Sequence, residues 1–88
     1  MEIKYKKQFL KDLASLPESY RTTVEALVFE TLPNMTLFGI MQRIAKLKGK
    51  KGFYKIRVGD YRIGVFLENE FLEFKRVLHR KEIYRYFP

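Results

Sequence analysis

The stretch Phe53-Tyr54-Lys55-Ile56-Arg57-Val58-Gly59-Asp60-Tyr61-Arg62-Ile63-Gly64-Val65 decides the fold. Apolar and polar residues alternate on both sides of Gly59-Asp60, a dipeptide suited to a two-residue hairpin turn. With that turn, Val58 pairs with Tyr61, Arg57 with Arg62, Ile56 with Ile63 and Lys55 with Gly64. Successive side chains on a strand point to opposite faces. Tyr54, Ile56, Val58, Tyr61, Ile63 and Val65 therefore share an apolar face, and Lys55, Arg57 and Arg62 share the other. A one-residue slip would scramble both faces, so the pattern fixes its own register.

The charged face is costly. Like charges directly opposite one another on neighbouring strands destabilise a sheet by roughly 0.2–1 kcal/mol. Three cations converge here with no carboxylate between them, and Gly64 is expected to leave an open floor beside Lys55. Such a face suits a phosphate held on rigid elements. The bland alternative is a solvated face whose cations pair with acids elsewhere.

Downstream, residues 71–78 read as a further strand after an Asn69-Glu70 turn. Upstream, residues 43–47 read as a strand and residues 48–52 as a basic loop. Glu2 to Tyr5 reads as an opening strand with Ile3 and Tyr5 on one side. Phe9, Leu10, Leu13 and Leu16 recur at helical spacing, and Pro17 ends that helix and suits the start of the next. Tyr20, Val24, Leu27, Val28 and Leu32 mark a second helix that Pro33 and Asn34 close. So tight a connection makes the two helices a hairpin. Residues 35–41 are apolar without a period, and no element is assigned to them. The expected fold is α+β. An N-terminal strand and a helical hairpin lie on one face of a small, twisted, mainly antiparallel sheet, with a short C-terminal helix or tail. One domain spans residues 1–88.

Of the 88 residues, 18 are Lys or Arg and 10 are Asp or Glu, a net charge of +8 that calls for a polyanionic or acidic partner. There is no cysteine, hence no disulfide or thiolate zinc site, and neither a metal nor a cofactor is expected. The charged start MEIKYKKQF is unlike a signal peptide, and no apolar run is long enough to span a membrane. A cytoplasmic location is the expectation.

The C-terminal run 77–87 supplies His79, several cations and two tyrosines beside the last strand. Cations interleaved with aromatics suit unpaired bases and their phosphates. Tyr84 reads equally as a base-stacking residue and as a tail anchor, whereas Tyr86 and Phe87 read as anchors. Lys46, Lys48, Lys50 and Lys51, with Lys81, offer general attraction for RNA or the ribosome rather than chemistry.

Lys55-Ile56-Arg57, the Gly-Asp-Tyr-Arg of residues 59–62, the His-Arg-Lys-Glu-Ile-Tyr-Arg of residues 79–85 and Leu47-Lys48-Gly49 together resemble the RelE/ParE superfamily of bacterial toxins. The resemblance covers nearly the whole chain. It implies the toxin of a type II toxin–antitoxin pair, kept inactive by an acidic antitoxin in a hetero-oligomer. RelE-type members are ribosome-dependent endoribonucleases that cut mRNA and so inhibit translation. Members directed at DNA gyrase share the fold and generally lack the catalytic set. Lys55, Arg57, Arg62, Arg80 and Tyr84 stand at positions similar to that set. Arg57 replaces a lysine of some relatives, and Arg80 lies closer to Tyr84 than its counterpart does in some members.

RNA cleavage by attack of a 2′-hydroxyl on the adjacent phosphate needs a base, charge stabilisation and an acid. Lys55 is the expected base, and Arg57 and Arg62 the phosphate clamp. Arg80 is expected at the scissile phosphate or the leaving oxygen, and Tyr84 at a base or the 2′-hydroxyl. His79, with the better intrinsic acid–base chemistry, displaces Arg80 as the acid if it points into the site. A gyrase-directed toxin, a non-catalytic RNA-binding module and a plain interaction domain are the rival readings.

Overall fold

The computed structural model describes all 88 residues. Strand β1 (Glu2–Tyr5) leads into helices α1 (Lys7–Ala14) and α2 (Glu18–Ala26). A π turn (Leu27–Thr31) and a 3-10 turn (Leu32–Asn34) extend α2, and a short α3 (Leu37–Met41) follows. Strands β2 (Ala45–Lys46), β3 (Phe53–Val58), β4 (Tyr61–Glu68) and β5 (Phe71–His79) precede α4 (Ile83–Tyr86). The sheet order is β1-β5-β4-β3-β2. Only the β1–β5 pair is parallel.

The hairpin register matches the sequence reading pair for pair, from Lys55 opposite Gly64 to Val58 opposite Tyr61. Gly59 takes a φ of 56°, which opens the turn without the penalty a Cβ would bring. At the next turn Asn69 and Glu70 both have positive φ, the conformation that matches strand twist in two-residue hairpins.

The periodic residues of the helices meet one face of the sheet. Phe9, Leu13, Leu16, Val24, Val28 and Leu32 bury against Ile56, Ile63, Val65, Leu72, Phe74 and Val77. Two departures concern this layer and the edge. Leu10 is exposed, since α1 turns Phe9, Asp12 and Leu13 inward instead. Strand β2 is two residues long where five were expected, because the Arg43 amide bonds back to the Ile40 carbonyl at the exit of α3. The unassigned residues 35–41 hold α3, whose first turn Thr36 caps by accepting from the Gly39 amide at 3.1 Å.

Asp12 ties the helical layer to the sheet. β1 ends at Tyr5, and beyond it the Val77 amide of β5 donates to Asp12 Oδ2 at 3.1 Å. Arg76 donates to the same carboxylate through Nε at 2.7 Å and Nη2 at 3.1 Å, and Gln8 donates at 3.1 Å. A nearly buried carboxylate is tolerable because it is paired and hydrogen-bonded on both oxygens. The bond to Asp12 pushes the Arg76 guanidinium further towards its charged form.

The second face carries less. Leu47, Ile83 and Phe87 form a three-residue cluster there, with Phe53 and Leu78 against it. The expected open floor at Gly64 is not there. The Phe87 ring lies on Gly64, so close that a Cβ at that position would sit 2.6 Å from Phe87 Cγ. Glycine here admits the tail rather than a ligand.

Candidate nucleic-acid-cleaving face

The cations of β3 and β4 project from this lightly covered face. Lys55 Nζ lies 2.6 Å from the Tyr84 hydroxyl oxygen, a direct contact between a central strand and α4. Neighbouring Ile83 is fully buried, which fixes the helix that carries Tyr84 while Tyr84 itself is exposed. Arg57 and Arg62 face one another across the hairpin. Arg62 is braced, with Nη1 donating to the carbonyls of Gly59 at 2.8 Å and Tyr61 at 2.9 Å. Arg57 extends into solvent. Arginine held at fixed orientation beside a second guanidinium is suited to gripping phosphate oxygens.

Arg80 sits at the hairpin turn. Its amide donates to the Asp60 carbonyl at 2.8 Å, and its Nε lies 3.8 Å from Asp60 Oδ1. Both side chains are mostly exposed, so the pair is weak and a phosphate can compete for the guanidinium.

His79 is turned away from the cations. It pairs with Tyr61, its ring meets the Tyr61 ring edge-on at 5.4 Å, and its Nδ1 accepts from the Lys81 amide at 3.1 Å. The physical reason is the irregularity where β4 Gly64/Val65 meets β5. Val65 pairs with Phe74 but Gly64 pairs with Arg76, so Lys75 is an extra residue in β5. A bulge of this kind reverses which face the later residues take. Phe74 and Val77 consequently share the main core, Leu78 turns to the second face, and His79 follows Val77.

The lysines of residues 46–51 line a shallow concavity at the sheet edge. Lys46 is opposite Tyr54 on β3 and so points to the side away from Lys55. Lys48, Lys50 and Lys51 are exposed in the loop, and Lys81 is exposed in the turn after β5. No pocket opens over Lys55 itself. A flat cationic face suits a polymer backbone laid across it better than an enclosed small molecule. No group of three His, Cys, Asp or Glu side chains comes together that could hold a metal ion. Sequence reading passed over Asp12 and Arg76, which with the tail residue Tyr86 form a linkage bordering this face. The Arg76 guanidinium stacks on the Tyr86 ring at 5.3 Å while bonded to Asp12. An isolated acid on an amphipathic helix gives no hint of such a partner.

A family model described as the ParE toxin of the type II toxin–antitoxin system parDE matches residues 3–84. The chain is 40% identical over 88 residues to Toxin RelE3 of Methanocaldococcus jannaschii, covering 100% of both. Among solved structures it resembles the RelB–RelE antitoxin–toxin complex from Methanococcus jannaschii. The TM-score is 0.77 at 39% identity, over 97% of this chain and 99% of that one. The RelBE2 toxin–antitoxin complex of Mycobacterium tuberculosis shares the fold with a TM-score of 0.71 at 22% identity, over 90% of each chain. So does the free-state mutant of Escherichia coli toxin RelE, at 0.68 and 21%, over 97% of this chain and 88% of that one.

Proposed function

Because this chain belongs to the RelE/ParE family of type II toxin–antitoxin toxins, we propose that it is a RelE-type endoribonuclease that cuts mRNA on the ribosome and so inhibits translation. Its place of action is the cytoplasm, and no helix is long and apolar enough to cross a membrane. The observation that carries the reading is the Lys55–Tyr84 contact beside Arg57 and Arg62 on a face with no carboxylate among them. A chain that acted only through protein contacts would have no need to hold these cations together against their own repulsion.

In this mechanism Lys55 Nζ removes the 2′-hydroxyl proton, with Tyr84 orienting the amine or the hydroxyl. The 2′-oxygen bonds to phosphorus and the bond to the 5′-oxygen breaks. Arg57 and Arg62 hold the phosphate and stabilise the charge added on the way to the phosphorane. A proton delivered from the Arg80 side completes the 5′-hydroxyl, leaving a 2′,3′-cyclic phosphate on the other fragment. His79 would have to swing around the sheet edge to serve as that acid, and its contacts with Tyr61 and the Lys81 amide oppose this. Lys46, Lys48, Lys50, Lys51 and Lys81 add sequence-independent attraction for RNA. An acidic antitoxin, as in the RelB–RelE complexes of its relatives, is the partner that silences the toxin.

The test is a reconstituted translation reaction with mapped mRNA ends, comparing the parent with Arg62→Ala. The parent is expected to leave 5′-hydroxyl ends, and the variant to be slower by about 10²–10³-fold with an unchanged fold. Uncut mRNA and continued translation would overturn the reading. Inhibition of DNA gyrase then becomes the alternative, which the ParE description of the matching family favours.

A further inference from the structure

Residues 35–41 take no part in the proposed chemistry and, Ile40 apart, little in the core. They fold into α3, which sends only Ile40 into the core. Phe38 is 74% exposed, Met41 48% and Leu37 37%. At 100° per residue, Leu37 and Met41 are stacked neighbours at i, i+4, and Phe38 and Met41 at i, i+3. The three therefore form one continuous apolar flank on the outside of the molecule, in a helix too short to need them for its own stability. Scattered exposed apolar residues need no explanation, but a contiguous group headed by a largely bare phenylalanine marks an interaction surface.

The surroundings select the occupant. From residue 31 to residue 59 there is no Asp or Glu, while Arg43, Lys46, Lys48, Lys50, Lys51, Lys55 and Arg57 all fall in that interval. Helix α3 runs directly into Arg43 and the lysine-bearing edge strand β2. A second copy of this chain would bring another +8 surface against this one, which like-charge repulsion opposes. RNA would satisfy the cations but could stack only on Phe38, leaving the Leu37 and Met41 side chains uncovered. A segment with apolar anchors flanked by carboxylates satisfies both features at once. We propose that the Leu37–Phe38–Met41 flank of α3 is a docking site for an acidic, amphipathic segment of the antitoxin, with Arg43 pairing to its carboxylates. This rests on the toxin–antitoxin reading above. Its test requires no RNA cleavage, so the two can fail separately.

The probe is the RelB antitoxin of Methanococcus jannaschii, partner of the relative that shares 39% identity with this chain. Its affinity is measured by titration calorimetry against the intact chain, the triple variant Leu37→Ser/Phe38→Ser/Met41→Ser, Arg43→Glu, and the control Leu10→Ser, which removes from α1 an apolar side chain about as exposed as Leu37 and Met41. Circular dichroism checks that each variant is folded. The triple variant is expected to bind about tenfold or more weakly, as loss of an aromatic anchor does. Arg43→Glu is expected to weaken binding by a smaller factor that shrinks as salt is raised, and Leu10→Ser to bind like the parent. Three results would overturn the proposal: no binding of RelB to the parent, parental affinity in the folded triple variant, or equal loss in Leu10→Ser.

Discussion

On one face of the sheet, α1, α2 and their turns bury six apolar side chains against seven from the strands. On the other, only Ile83 and Phe87 of the C-terminal segment and Leu47 of the edge loop are buried. The first face follows the ordinary logic of a domain this small, in which a single core must supply nearly all the stability. The second is covered just enough to place Tyr84 beside Lys55 and leaves the cations in reach of solvent. Under the proposed function, stability and chemistry are thus divided between the faces. A site of mutually repelling cations costs less when the burial that holds the fold together lies on the far side of the sheet.

The strongest way to break this comparison is to remove one large aromatic from each face. Phe74 is fully buried in the main core, and Phe74→Ala is expected to cost about 3–5 kcal/mol. That is a large share of the roughly 4–13 kcal/mol available to a chain of this length, so the variant should be partly unfolded at 37 °C. Phe87 is buried almost as deeply, yet it belongs to the last turn of the chain, which can open locally. Phe87→Ala is expected to cost less than about 2 kcal/mol globally. It should still slow the proposed RNA cleavage, by freeing α4 and with it Tyr84. Denaturant unfolding and cleavage assays on both variants decide it. Equal destabilisation would mean that the C-terminal cluster is part of one common core.

The hairpin was legible in the sequence because its turn dipeptide and its two-residue alternation agree. Together they fixed the pairing from Lys55 with Gly64 to Val58 with Tyr61. The helices were legible through their spacing, down to the buried Phe9, Leu13, Val24 and Val28. Helix α3 was not, since five residues are barely more than one turn and show no period. The parallel placement of β1 beside β5 is a contact across some seventy positions that no local pattern encodes. The side on which His79 emerges depends on a single extra residue, Lys75, in a strand whose alternation otherwise looks regular. Strict alternation from Phe74 would have sent His79 to the cationic side. Gly64 misled in a similar way, since an absent side chain looks the same in sequence whether a ligand or a phenylalanine ring fills the space.

Asp12 joins the two faces, and removing it sharpens their division. In Asp12→Ala the Val77 amide loses its acceptor and Arg76 is left partly buried without its anion. A cost of about 2–3 kcal/mol is expected, below that of breaking a fully buried pair because Arg76 keeps some contact with water. In a domain of this size that lowers Tm by roughly 10–20 °C. Arg76 also stacks on Tyr86 of α4, so amide exchange in residues 83–86 should quicken beyond what the global loss of stability explains. Exchange that merely follows global unfolding would show that the faces are not linked through this pair.

The smallest effect isolates the helical face alone. Tyr5 donates its hydroxyl to the Val28 carbonyl at 2.7 Å, inside the π turn where the backbone departs from regular helical bonding. Its ring stacks on Phe74 at 5.2 Å, and burial pushes its pKa above the usual tyrosine value. The folded state therefore holds this proton more tightly than the unfolded chain does. The associated stability is fully present below the unfolded pKa near 10 and is lost as pH rises from there through the folded value. Tyr5→Phe keeps the ring and removes the hydroxyl, at a cost of about 1 kcal/mol at neutral pH. Above pH 10 the gap between parent and variant should narrow, since only the parent still has a proton to lose at this position. Cleavage at neutral pH should be unchanged, because Tyr5 lies on the side of the sheet away from Lys55. A variant that lost activity with its stability intact would place the helical face within the chemistry and undo the division of labour.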